Sequence, residues 1–139
     1  MKTFSNNLVF IIEDNDMFSK MLIHILSKES PLRFKNFQTG EESICNLNLN
    51  PLMIIIDYGL PGMDGLQTFR EIKKLSKNIP VVVVTSYNDE TIAKEFMDEG
   101  AYAYLVKQKN TASRLTKIIH TISDDSNGDY GLDKANYAA

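Results

Sequence analysis

Five polar residues stand where apolar runs stop: Glu13 and Asp14 after Leu8-Val9-Phe10-Ile11-Ile12, Asp57 after Leu52-Met53-Ile54-Ile55-Ile56, Thr85 after Val81-Val82-Val83-Val84, and Lys107 after Tyr102-Ala103-Tyr104-Leu105-Val106. Five polar groups placed this way cannot all serve a core. If the runs are parallel strands of an open sheet, their carboxyl ends share one rim, and ligands bind at such a rim. An acidic pocket with one hydroxyl and one ammonium at its edge meets the needs of a divalent cation and a phosphoryl group together.

The elements that must position these groups follow from hydrophobic spacing. The four runs are nearly continuous rather than alternating, as in strands buried on both faces, and are predicted to be parallel central strands. The segment 32–37, Leu-Arg-Phe-Lys-Asn-Phe, is more mixed and suits a strand nearer an edge. Between the strands, Phe18, Met21, Leu22 and Ile25 mark a first helix, and Thr39 with Glu42 three residues later predicts a capping box opening a second. Leu66, Phe69 and Ile72 mark a third. Asn88 is the expected cap of a fourth, which stops at Gly100 in a left-handed conformation. Leu115, Ile118, Ile119 and Ile122 give a fifth helix its apolar stripe. Five strand-helix units predict a doubly wound α/β fold with helices on both faces.

Composition narrows the function classes. The chain has 139 residues, the length of one domain, with 43% hydrophobic and 24% charged residues. A net charge of −3 offers no basic surface for direct nucleic-acid binding, and a lone cysteine, Cys45, excludes an internal disulfide framework. No apolar stretch approaches the roughly 18 residues of a membrane span, so no membrane contact and a cytoplasmic location are expected. Cys45 beside Ile44 is expected to be a small buried hydrophobe, and the Met and Phe residues are expected in the core. His24 and His120 lack metal-ligand spacing. From Asp124 onward the chain turns polar and acidic without a sustained period, which predicts a domain over 1–123 and a flexible tail or the start of a linker over 124–139.

Each site residue has a plain reading when taken alone. An acidic pair after a strand is commonly a solvated loop, Thr85 a strand-end residue, Tyr104 a strand aromatic and Lys107 a surface lysine. Residues 59–65 also make a turn, with Pro61 fixing φ and Gly62 allowing φ > 0. The ordered set carries the functional reading. Glu13-Asp14, Asp57 with Gly59-Leu60-Pro61-Gly62-Met63-Asp64-Gly65 just after it, Thr85-Ser86, Gly100-Ala101, Tyr104 and Lys107 together resemble the receiver domain of two-component response regulators, over roughly residues 8–122.

That resemblance implies a flavodoxin-like five-stranded parallel sheet of order 2-1-3-4-5 with five helices. It implies a phosphoacceptor in a phosphorelay: Asp57 takes a phosphoryl group from a sensor histidine kinase or phosphotransfer protein and becomes an aspartyl phosphate. Two anions repel by about 4 kcal/mol at 4 Å with an effective dielectric near 20, so a cation must offset them. Mg²⁺ is the implied cofactor, held directly by Asp14, Asp57 and the Gly59 carbonyl, and by Glu13 through water. Lys107 and the Thr85 hydroxyl would hold phosphoryl oxygens. Tyr104 would swing into space that Thr85 vacates and reshape the surface of the fourth helix, fifth strand and fifth helix. A downstream output protein or domain would read that surface, and no separate substrate would be turned over. The fifth helix carries Arg114, Lys117 and His120 but no acid, so the reciprocal charge pattern of regulators that dimerise through this face is not evident, and homodimerisation is left open.

Three departures from the family pattern stand out. Glu13 occupies a place where aspartate is also common, and its longer arm changes reach but not charge. Gln108 follows Lys107 where proline usually sits after a cis peptide bond; for a non-proline residue cis costs roughly 2.5–4 kcal/mol, so the bond is trans or strained. Gly59 and Tyr87 occupy the positions that tune hydrolysis of the phosphorylated form, and a bare glycine with a shading tyrosine predicts slow autodephosphorylation.

Rival classes fare worse. A haloacid-dehalogenase-type phosphatase needs a second acid where Gly59 stands. A flavodoxin needs an anion-welcoming loop where Glu13-Asp14-Asn15 would repel phosphate. A nucleotide hydrolase needs a phosphate loop that this chain lacks. The remaining alternative is a phosphorylation-independent receiver-like protein-binding module.

Overall fold

A computed structural model describes residues 7–28 and 31–125. Strands β1 (Leu8–Ile12), β2 (Arg33–Phe37), β3 (Met53–Ile56), β4 (Val81–Thr85) and β5 (Ala103–Val106) alternate with helices α1 (Asp16–Leu26), α2 (Gly40–Cys45), α3 (Gly65–Leu75), α4 (Glu90–Asp98) and α5 (Thr111–Asp125). The strands form one parallel sheet in the order β2-β1-β3-β4-β5, as the resemblance implied. Alternation within the strands feeds two cores. Phe10, Ile12, Ile54, Ile56, Val81 and Val83 face Phe69 and Ile72 of α3 and Phe96 of α4, with Ile44 of α2 at the margin. Val9, Ile11, Met53, Ile55, Val82 and Val84 face Leu22 and Leu26 of α1 and Leu115, Ile118, Ile119 and Ile122 of α5. Both faces of the sheet are therefore covered, which is why the inner strands read as unbroken apolar runs.

Several expectations are corrected. The run ending at Val106 is an edge strand, not a central one; Ala103, Tyr104 and Leu105 are still buried because the two cores reach both of its faces. Helix α4 is capped by Asp89 rather than Asn88, its side chain accepting from the N–H groups of Thr91 and Ile92. Gly100 does take a positive φ, +102°, just past that helix. Thr39 caps α2, accepting from the Glu42 N–H, but the two side chains bond each other, and the reciprocal capping box belongs to Asp64 and Gln67 at the start of α3. Cys45 is exposed, because Gly40 and Ser43 hold the inward positions of α2. Met17 and Met21 are exposed at 82% and 43%, since α1 turns Ser19, Leu22 and Leu26 inward. Helix α5 runs to Asp125 and so contains acids in its last turn, contrary to the acid-free reading. The rest of the expected tail, 126–139, lies outside the described residues.

Candidate functional site

The sheet's register brings the polar strand ends together. Glu13 continues β1 by donating its N–H to the Phe37 carbonyl at 2.9 Å, and Asp57 continues β3 by donating to the Ile12 carbonyl at 3.0 Å. Lys107 continues β5 in the same way, its N–H donating to the Thr85 carbonyl at 2.7 Å. Ladder bonds that outlast the apolar runs fix the backbones of these residues, and only their side chains need orienting.

One carboxylate oxygen each from Glu13, Asp14 and Asp57 lies within 4.8 Å of the others. Glu13 and Asp57 are buried and Asp14 is exposed, so the cluster opens to solvent on the Asp14 side. Lys107 Nζ donates to Glu13 Oε1 at 2.9 Å and stands 3.7 Å from Asp57 Oδ2. It also sits over the Phe18 ring, 4.1 Å from the centroid. The second Glu13 oxygen accepts from the Asn15 N–H at 3.1 Å, and Asn15 in turn caps α1 through the Phe18 N–H. Burial pushes the Glu13 carboxyl above its ordinary range; the Lys107 and Asn15 hydrogen bonds oppose that, and the neighbouring Asp57 charge adds to it.

The loop after Asp57 is shaped by close approach. A Cβ on Gly65 would run into the Asp57 carbonyl, while the Gly65 N–H donates to the Tyr58 carbonyl at 2.7 Å. Gly62 takes φ +68° after Pro61, as the turn reading expected, and the Met63 N–H donates to Glu41 on α2. The Gly59 N–H donates to Asp57 Oδ1 at 3.4 Å. A Cβ on Gly59 would lie 2.9 Å from the Tyr87 ring, which packs edge-on against Tyr58 with centroids 5.0 Å apart.

Thr85 is fully buried and its hydroxyl oxygen accepts from the Tyr87 N–H at 3.3 Å. Tyr104 already lies inward at 4% exposure, its hydroxyl donating to the Tyr87 carbonyl at 2.6 Å and its ring tilted against Phe96. Burial, with the charges of Asp89 and Asp57, pushes its phenol up to about 12. The Tyr87 backbone thus touches both Thr85 and Tyr104.

All the expected site residues other than Thr85 and Tyr104 gather at the Asp57 rim; Thr85 stands one strand away on β4 and Tyr104 two strands away on β5, and the two are linked through Tyr87. The reading of the sequence missed Phe18, taken as a core residue; the only signal for it was its place one turn into the helix that follows Asp14. It also missed Thr111. No peptide bond among the described residues is cis, so the Lys107–Gln108 bond is trans.

The chemistry of this donor set suits a small, hard cation. Three carboxylates, with one oxygen each inside 4.8 Å of the others, lie beside one ammonium, and hard oxygen ligands of this kind are what Mg²⁺ takes.

Comparison with known proteins gives a consistent picture. The response regulator receiver domain family matches residues 9–120. A cyclic di-GMP phosphodiesterase of Thermotoga maritima is 31% identical over 114 residues, 82% of this chain and 30% of that protein. The two-component response regulator ORR3 of Oryza sativa subsp. indica is 31% identical over 98 residues, 68% of this chain and 75% of that protein. Among solved structures, a CheY-like receiver domain protein from Methanospirillum hungatei JF-1 superposes with a TM-score of 0.79 at 22% identity, covering 90% of this chain and all of that one, a likeness of fold. The chain thus spans less than a third of the Thermotoga protein, whose phosphodiesterase activity is a property of that longer protein.

Proposed function

Because this chain belongs to the response regulator receiver domain family of two-component systems, we propose that Asp57 is its phosphoacceptor and that Glu13, Asp14, Asp57 and Gly59 hold Mg²⁺. The observation that carries this reading is a buried carboxylate, Asp57, sharing one rim with two further carboxylates and a lysine. When bound, the cation would supply the positive charge that lets an anionic donor approach this pocket. An Asp57 oxygen attacks the phosphorus of a phosphohistidine on a sensor kinase or phosphotransfer protein; the new O–P bond forms as the P–N bond breaks, and the histidine leaves neutral after taking a proton. Lys107 then exchanges Glu13 for a phosphoryl oxygen, a short move because it already reaches both carboxylates.

Thr85 donates its hydroxyl proton to another phosphoryl oxygen, which draws on its contact with the Tyr87 N–H. Tyr104 holds the Tyr87 carbonyl, so a shift of Thr85 is felt at β5 and on the surface of α4, β5 and α5. Tyr104 lies inward, the place this reading gives the ring in the switched arrangement. A downstream protein or output domain reads that surface.

Slow autodephosphorylation belongs to the same proposal: Gly59 has no side chain to orient water, and the Tyr87 ring packs against it. The test is intact mass after incubation with phosphoramidate, with and without Mg²⁺, beside Asp57→Asn. A single Mg²⁺-dependent phosphoryl addition that the substitution abolishes supports the proposal. An unlabelled wild type, under conditions that label another receiver, points to a phosphorylation-independent binding module.

A further inference from the structure

The residue after Lys107 has an N–H, and that N–H is used. Gln108 donates it to Thr111 Oγ1 at 2.8 Å, and the same hydroxyl donates to the Val106 carbonyl at 3.2 Å. One side chain therefore grips the backbone on both sides of Lys107, while the Lys107 N–H is itself held by the Thr85 carbonyl at 2.7 Å. Thr111 is only 3% exposed and opens α5, so the grip ties the strand end to the first turn of a helix packed on the sheet. A proline at 108 could make no such bond, having no N–H to donate.

We propose that Thr111 is a positioning residue for Lys107: its hydroxyl sets the trans loop so that the ammonium reaches Asp57 and the phosphoryl group. The inference rests on the role assigned to Lys107 above. A lysine on a four-carbon stem is placed by its backbone before its rotamers, and misplacement of a reacting partner by about 1 Å costs up to a hundredfold in rate. The hydroxyl, rather than the bulk of the side chain, is the part that acts.

The test uses Thr111→Val, which keeps shape and loses the hydroxyl, and Thr111→Ser, which keeps the hydroxyl and loses the methyl. Phosphorylation rate with phosphoramidate and Mg²⁺ is read by intact mass, and exchange of the Gln108 amide is read by NMR without Mg²⁺. The expected result is faster Gln108 exchange and about tenfold slower labelling in Thr111→Val, with Thr111→Ser within about twofold of wild type. In a Lys107→Met background the valine change should no longer matter. Should Thr111→Val not fold, Thr111→Ala against Thr111→Ser repeats the contrast. Wild-type labelling by Thr111→Val, equal slowing by serine and valine, or an undiminished valine effect in Lys107→Met would each overturn the proposal. If Lys107→Met alone labels at the wild-type rate, the assigned role of Lys107 falls first, a failure distinct from that of Thr111.

Discussion

Replacing Lys107 by Met removes the only cation in contact with Glu13 and Asp57 among the described residues, while keeping a stem that can lie on Phe18. At 2.9 and 3.7 Å the two attractions are gross terms of about 6 and 4.5 kcal/mol at an effective dielectric near 20, most of which desolvation of the ammonium offsets. The cost of removal lies instead in what stays behind, two buried carboxylates facing each other, and breaking such a pair costs about 3–5 kcal/mol. The Lys107 side chain is 21% exposed, and Glu13 can relieve the strain by taking a proton, so the expectation is the lower end, about 3 kcal/mol at pH 7. Urea unfolding followed by circular dichroism in EDTA measures it, in a domain short enough for two-state treatment. Mg²⁺ should then narrow the gap, by about 1.4 kcal/mol for each tenfold by which loss of the ammonium tightens cation binding. Lowering the pH should narrow it too, since burial makes the Glu13 carboxyl take up a proton more readily than an exposed one. A loss in EDTA below about 1 kcal/mol, or a gap that Mg²⁺ leaves unchanged, refutes the reasoning.

Other outcomes follow from the same geometry. Because burial raises the Glu13 carboxyl, ionising it costs stability: that contribution is intact below the unfolded value near 4.3 and is lost as pH rises through the folded one, so Glu13→Gln should gain on wild type between acid and neutral pH in urea titrations without Mg²⁺. Tyr104→Phe deletes the 2.6 Å bond to the Tyr87 carbonyl and should cost about 1 kcal/mol in the same assay; no change would mean that the bond does not hold the loop. Tyr87→Ala uncovers Gly59 and should shorten the lifetime of the phosphorylated form several-fold, followed by mass against time, whereas a wild-type half-life of seconds would remove the basis for shading altogether.

The strands and the rim were legible in the sequence because unbroken apolar runs carry a parallel sheet, and the polar groups that end them have nowhere to lie but the carboxyl edge. Leu66, Phe69 and Ile72, and the stripe from Leu115 to Ile122, landed on the buried faces expected. Rotation of the shorter or more mixed helices was not legible. On α1, Ser19 takes an inward place because its hydroxyl bonds the Asp16 carbonyl and Asn36, which leaves Met17 and Met21 outside. Between adjacent capping residues, Asn88 and Asp89, composition has no means to choose. The anchoring of Lys107 was hidden for a different reason: it depends on a hydroxyl four residues away meeting two backbone groups, a contact that only the turn into α5 creates.

The measurement that bears most directly on the central claim is the location of the phosphoryl group. Protein phosphorylated with phosphoramidate and Mg²⁺, reduced with borohydride and digested with trypsin, should show an aspartate converted to homoserine at residue 57, since an acyl phosphate is reduced where a free carboxylate is not. Conversion at Asp57 alone is the result predicted. Conversion at Glu13 or Asp14, or none in protein whose mass shows the added group, would contradict the account.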